Sequence, residues 1–169
     1  VGDLTPSATL TTTVDSWHAA AGSAAAQLAA ITDGNIATNG ANDYQVHPTN
    51  ADGKHILFAW ADVYTQGTFV YYNRTARSQN SIVGSTLEFL LDGVVQSSTT
   101  IASTANEISI DSAAGVNFNQ VKLTFAGYYQ NFREIRIFGV MVNRAPVITS
   151  AAVTEGKAGV TYSYTLTAN

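Results

Sequence analysis

The order of apolar and polar positions separates the chain into a polar lead-in, an alanine-rich stretch and a long region of β-type alternation. Ala8–Val14, rich in threonine, has the β-branched content of a first strand. Ala19–Ala30 favours helix, but Gly22 and Ser23 interrupt it, so a short helix or a loop packed on the surface is expected. From Ile56 the pattern becomes β. Ile56–Val63 is a largely apolar run compatible with a strand buried on both faces, and Thr68–Tyr72 follows a Thr65-Gln66-Gly67 turn signal. Thr86–Leu91 and Val94–Ser97 flank Asp92-Gly93, a strong local hairpin cue. Further strands are predicted at Glu107–Ile110, Asn119–Phe125 and Glu134–Val142. Val121, Leu123 and Phe125 alternate there with Lys122 and Thr124, and Ile135 and Ile137 flank Arg136, so one face is buried and one is wet. Short strands at this spacing predict an all-β antiparallel sandwich.

The composition breaks at Asn143-Arg144-Ala145-Pro146. The remainder, to Asn169, holds a turn and the alternating Tyr162–Leu166, with no length for a core of its own. The expected organisation is therefore a module over residues 1–142, with a linker and the first strands of a second, truncated β-domain over 143–169. Such a tail has strand character and an unpaired edge that would suit pairing with a neighbouring copy.

Composition narrows the function. Of 169 residues 46% are hydrophobic and only 12% charged, so a core is available and the surface is polar but largely uncharged. A net charge of −4 argues against nucleic-acid and anionic-membrane surfaces, which need clustered Lys and Arg. No stretch approaches the length of a membrane span, and the N-terminus lacks the order of a signal peptide, as in a mature or excised fragment. Without cysteine there are no disulfides, thiol nucleophiles or cysteine-ligated metals.

Catalytic motifs are sparse. The few acidic residues fall mostly in turn signals, whereas glycosidic hydrolysis usually needs two carboxylates around the scissile bond. Gly-x-Ser-x-Gly is missing, and His18, His47 and His55 lack zinc-like spacing, although a histidine site assembled in space stays open. The chain reads as a non-enzyme.

Ile31–Thr38 (Ile-Thr-Asp-Gly-Asn-Ile-Ala-Thr) is the densest chemical stretch, interleaving a carboxylate, an amide and two hydroxyls with a glycine turn. Such a stretch can converge oxygens on a hard cation such as calcium; the plain alternative is a tight surface turn. Together with Val70–Arg74, Leu91-Asp92-Gly93, Val121–Leu123 and Glu134–Gly139, its order along the chain resembles the discoidin family. This is the coagulation factor V/VIII C-type domain, which shares a galactose-binding-like jelly roll with many bacterial carbohydrate-binding modules. The resemblance spans roughly Thr9 to Val140. The tail from Ala145 is similar to the opening of bacterial immunoglobulin-like or cadherin-like repeats.

The resemblance implies a structural Ca2+ held by the Ala30 carbonyl, Asp33, the Asn35 carbonyl, Thr38 and Glu134. The alternative for Glu134 is a solvent-exposed pair with Arg136 or Arg133. It also implies a ligand site on loops at one end of the sandwich. Aromatic rings there would meet sugar C–H faces, and planar polar groups would meet hydroxyls. The candidates are Tyr44 and His47, with Asp43, in a first loop; Arg74, Arg77 and Asn80, with Asn73, in a second; and Tyr128, Tyr129 and Asn131 in a third. Each has a structural alternative: Tyr128 or Tyr129 capping the sandwich, Arg74 paired with Asp62 or Asp43, His47 merely solvated. Asn39–Tyr44 departs from the family by lacking the tryptophan often found soon after the threonine, so a standard galactose surface is not expected.

The expected function is a non-catalytic polysaccharide- or oligosaccharide-binding module of a secreted or cell-surface multimodular bacterial protein, holding an appended enzyme or the cell near glycan. Its partners would be glycan and other modules of the parent chain, with no nucleic acid and no membrane insertion. The rival is a structural spacer or adhesion module that binds protein or nothing. The two differ on whether Tyr44, Tyr128 and Tyr129 lie exposed in one concave patch.

Overall fold

A computed structural model describes residues 1–37, 43–75 and 79–142. The linker and tail expected over 143–169 lie outside them. The strands are β1 (Gly2–Asp3), β2 (Thr9–Thr12), β3 (Ser16–Trp17), β4 (Pro48–Thr49), β5 (His55–Asn73), β6 (Thr86–Leu91), β7 (Val94–Thr100), β8 (Glu107–Asp111), β9 (Asn117–Thr124) and β10 (Phe132–Met141). One α-helix, α1 (Ala24–Ala30), precedes β4, and the Ser23 side chain caps it by accepting the Ala26 N–H. This is the short helix expected, with Gly22 and Ser23 as its boundary.

The 19-residue β5 organises the sandwich. Near its start it pairs antiparallel with β2 and β9, Ile56 lying opposite both Thr12 and Leu123. After an irregularity between Ala59 and Tyr64 it pairs with β9 again at Tyr64 and Thr65, and its second half runs between β10 and β8. The hydrogen-bonded path β1-β10-β5-β9-β6-β7, with β2 and β8 joined to β5, therefore folds over into two layers. Ile56, Phe58, Leu87, Phe89, Val121 and Leu123 face inward from one layer, and Phe69, Tyr71, Ile108, Ile135 and Ile137 from the other. They form one antiparallel β-sandwich core, with no closed barrel.

Two expectations are corrected. Thr65-Gln66-Gly67 is not a turn between strands but lies within continuous β5. Gln66 takes a positive φ of 52°, and a Cβ on Gly67 would lie 2.6 Å from the Phe89 ring and 2.7 Å from the Phe118 ring. Gly67 is there for close ring packing. Nor is the run from Ile56 buried on both faces: Ile56, Phe58 and Trp60 point inward, while Ala61 and Asp62 are exposed. The β6–β7 hairpin follows its cue. Asp92 and Gly93 both adopt positive φ, 49° and 82°, as a two-residue turn matched to strand twist requires.

Candidate functional site

At one end of the sandwich, the β3–β4 pair brings two histidines together. The pairing of Trp17 with Pro48 is extended by the His18 N–H donating to the His47 carbonyl at 3.0 Å. The imidazoles stack, centroids 4.6 Å apart and planes 13° off parallel. The buried Tyr44 packs edge-on against His47 at 4.9 Å, and Tyr129 approaches it from another side at 5.8 Å. Tyr128 then lies T-shaped against Tyr129 at 4.6 Å. The result is a row His18–His47–Tyr129–Tyr128, backed at His47 by Tyr44.

The backbone fixes this row. Gln130 N–H donates to the Pro48 carbonyl, Ala51 N–H to the Tyr128 carbonyl, and Phe132 and Val46 exchange N–H···O bonds. These straps seat the 127–131 loop on the segment carrying His47. From the end of β5, Arg74 reaches over the Tyr44 ring, 5.0 Å from its centroid, while its Nε donates to both Asp43 carboxylate oxygens and its Nη2 contacts one of them. The planar fork thus ties the first candidate loop to the second. Burial, with the positive charges of His18 and Arg74 adding to it, lowers the His47 imidazole to about 4, so the ring is neutral at physiological pH.

The structure gathers Tyr44, His47, Arg74, Tyr128 and Tyr129 at one place, but not all as an exposed surface. Tyr128 and Tyr129 are 54% and 55% exposed, whereas Tyr44 is only 7% exposed and serves as floor. Of the three tyrosines whose shared exposure would separate a glycan module from a spacer, two are exposed and the third is buried. Asn131 is also corrected: it is 3% exposed, with its Oδ1 buried, so it faces inward rather than toward a ligand. Asn80 is exposed on the Gln79–Ile82 turn, which abuts the 127–131 loop through the Ser81 carbonyl near Gly127. Asn73 is buried, its amide donating to the Ala105 carbonyl at 3.2 Å. Arg77 lies outside the described residues. Arg74 has Asp43, not Asp62, as its ion-pair partner.

Sequence reasoning missed His18 and Gln27. Gln27 is fully buried, its amide joining the His18 and His47 segments. The one available signal was a lone amide in the Ala24–Ala30 stretch. For His18 no local signal existed, because its partner lies across the sandwich end. His55 is elsewhere, its Nδ1 3.3 Å from the Thr13 hydroxyl. Among the described residues no three His, Cys, Asp or Glu side chains gather as metal ligands.

A second polar feature covers the outer face of β10. The loop after α1 is held to that strand by Ile135 N–H donating to the Ile31 carbonyl, Gly34 N–H donating to Glu134 Oε1 at 2.9 Å, and Arg136 Nη2 donating to the Gly34 carbonyl. Glu134 is 1% exposed, and its Oε2 is buried without a partner. Burial pushes its carboxyl up to about 7, opposed by the Gly34 N–H and reinforced by the neighbouring Asp33 carboxylate. The solvent-exposed pair considered for Glu134 is thus corrected: Arg136 Nε lies 3.6 Å from Oε1, but in a buried setting, while Arg133 donates to the Asn73, Ile36 and Asn106 carbonyls. The Asn35 and Ala37 carbonyls both accept from Gln45 Nε2, at 2.5 and 2.6 Å, so main-chain oxygens converge on one polar atom. The Asp33 and Glu134 carboxylates, one with a buried oxygen left over, and the Asn35 carbonyl are oxygens of the kind a hard divalent cation takes. Thr38 lies outside the described residues.

No protein-family profile matches the chain, and no curated protein matches it in sequence. Solved structures do resemble it. A Streptococcus pneumoniae fucose binding module, SpX-3, superposes with a TM-score of 0.63 at 16% identity, covering 82% of this chain and 98% of its own. The lectin domain of lectinolysin complexed with Lewis B antigen gives 0.62 at 15% identity, with 82% and 96% covered. The family 32 carbohydrate-binding module of C. perfringens NanJ in complex with galactose gives 0.55 at 15%, with 79% and 94% covered. At these identities the likeness is one of fold: the chain has the galactose-binding-like jelly roll of carbohydrate-binding modules and lectins.

Proposed function

We propose that the protein is a non-catalytic glycan-binding module whose site is the sandwich end carrying Tyr128, Tyr129, His47 and Arg74. The observation that carries this reading is the row of rings itself. Two tyrosines stand more than half exposed beside a neutral imidazole and a guanidinium held in place by Asp43. Exposed rings supply the flat apolar surface that sugar C–H faces need, and the tyrosine hydroxyls supply polar contacts beside it. Asp43, the carboxylate at this end, is committed to Arg74, an arrangement suited to binding rather than to glycosidic acid–base chemistry. The likeness to modules whose ligands are fucose, Lewis B antigen and galactose supports an oligosaccharide of that class.

Ca2+ belongs to the same proposal. Asp33 and Glu134, the Ala30 and Asn35 carbonyls and Thr38 would hold it, and it would neutralise the buried Glu134 carboxylate beside the exposed Asp33 and pin the loop to β10. We also place the module in an extracellular multimodular bacterial protein, where it would raise the local concentration of an attached domain at glycan. No helix among the described residues is long and apolar enough to cross a membrane.

The test is affinity electrophoresis and immobilised-sugar retention on L-fucose, D-galactose and a polysaccharide series, with calcium and with chelator. Retention on one glycan class, lost in a folded Tyr129→Ala protein, is expected. Absence of retention on every glycan would overturn the reading in favour of a spacer or adhesion module.

A further inference from the structure

We infer that Gln27 is the positioning residue of the ring row, holding the segments of His18 and His47 so that their imidazoles stack beside Tyr129. As a statement about ligand binding this rests on the glycan-site reading above; as a statement about the imidazoles it does not. Gln27 has no exposed surface. Its Nε2 donates to the His18 carbonyl at 3.0 Å and the Gly22 carbonyl at 2.9 Å, and its Oε1 accepts the His47 N–H at 2.8 Å. Both amide hydrogens and the amide oxygen are therefore used, and only a neutral amide offers that set. A glutamate would aim an acceptor at two carbonyl oxygens. A leucine would leave the Gly22 carbonyl and the His47 N–H without partners, while the His18 carbonyl would keep only the Ala21 N–H.

The His47 ring gives this clamp its importance. Both of its nitrogens are buried without a hydrogen-bond partner, so no bond of its own sets its orientation. What orients the ring is its main chain, fixed at N–H by Gln27 and at the carbonyl by His18, together with stacking on the His18 ring. A helix of alanines has no packing need for a buried amide at this position. The amide is explained by what it grips.

The experiment compares the wild type with Gln27→Leu, and with Gln27→Met should the leucine variant fail to fold. His18 and His47 imidazole resonances are followed through a pH titration, beside retention on immobilised L-fucose and D-galactose. In the variant the His47 midpoint is expected to rise from about 4 toward the ordinary histidine range of about 6.5, with loss of the ring-current shifts between the two histidines. Sugar affinity should fall about tenfold or more. A variant that melts earlier but keeps the His47 midpoint and ring-current shifts would overturn the inference, making Gln27 an ordinary core residue. If the wild type is retained by neither sugar nor any member of the polysaccharide series, the glycan reading fails, and the imidazole spectra still decide what Gln27 does.

Discussion

Acidification places a charge in the centre of the ring row, and the cost of doing so can be worked from the structure. The His47 imidazole sits between His18, Tyr44 and Tyr129, and burial followed by the charges of His18 and Arg74 lowers it from 6.5 to about 4. The unfolded chain therefore takes up this proton first. The neutral ring's contribution to stability is complete above pH 6.5, declines as pH falls from there toward 4, and stays level below. At ~1.4 kcal/mol per pH unit of difference the ceiling is about 3.4 kcal/mol. The ring is partly exposed, and solvent screening reduces this to about 1–2 kcal/mol. In a domain of this size that is a loss of roughly 2–8 °C in Tm.

Glu134 acts with the opposite sign in the same range. Its carboxyl is raised from 4.5 to about 7, so in calcium-free protein its contribution is complete below 4.5 and is lost as pH rises through 7. A bare melting curve would mix the two. The comparison needed is wild type against His47→Phe, which keeps an aromatic ring and leaves Glu134 untouched. Both are melted in chelator between about pH 7.5 and pH 4, with the His47 midpoint read separately by NMR. The wild type should lose about 1–2 kcal/mol more than His47→Phe across that range. Parallel melting curves, or a His47 midpoint near 6.5, would refute the buried stack.

Other perturbations test the core and the loop. Gly67→Ala forces a methyl into the Phe89 and Phe118 rings and should cost about 1–3 kcal/mol in urea unfolding; a loss under about 0.5 kcal/mol would mean the rings have room. Tyr71→Phe removes a fully buried hydroxyl with no partner, and stability should hold or rise by up to about 1 kcal/mol; a clear loss would point to a buried water bonded to that hydroxyl. Calcium at 100 times its Kd should stabilise the protein by about 2.7 kcal/mol relative to chelator, and Glu134→Gln should abolish most of the response; identical melting with calcium and chelator would remove the metal from the account.

How far these features could be read from sequence depended on whether their cause was local. The Asp92-Gly93 turn demands two consecutive positive φ values, which few residue pairs adopt, and the hairpin follows directly. Alternation at Val121, Leu123 and Phe125 named inward faces correctly for the same reason. Gly67 misled because glycine serves both turns and close packing, and the rings that require it arrive from β6 and β9. In the candidate site, Tyr129 and His47 belonged to different loops that the fold does join. His18 escaped notice because its stacking partner, His47, is distant in the sequence and is brought beside it only by the β3–β4 pairing, and Gln27 because the groups it binds are main-chain atoms. Asn131 carried the right chemistry in the right loop but turns inward, a choice no local pattern encodes.

The distribution of unpaired polarity argues that the two polar features of this domain are sites rather than accidents of surface. Native interiors leave few buried polar atoms without a partner, since each costs about 1–3 kcal/mol. Among the described residues, such side-chain atoms are both His47 nitrogens, Ser81 Oγ, Gln130 Oε1, Asn131 Oδ1, Glu134 Oε2 and the Tyr71 hydroxyl; Arg136 Nε makes no hydrogen bond but faces Glu134 Oε1 at 3.6 Å. Only Tyr71 lies in the body of the sandwich. His47, Gln130 and Asn131 belong to the ring row and its supporting loop, Ser81 to the turn beside it, and Glu134 to the strand beneath the acidic loop. A sandwich that satisfies its polar groups elsewhere but leaves them open at these two places gains no stability from doing so. The deficit is intelligible if those atoms take partners from outside the chain: ordered water behind the ring row, a cation at Glu134. On this reasoning Glu134→Gln should raise the stability of calcium-free protein near neutral pH while removing its response to calcium. If the substitution instead destabilised the protein equally with and without calcium, the buried carboxylate would be a structural element, and the cation would lose its main support.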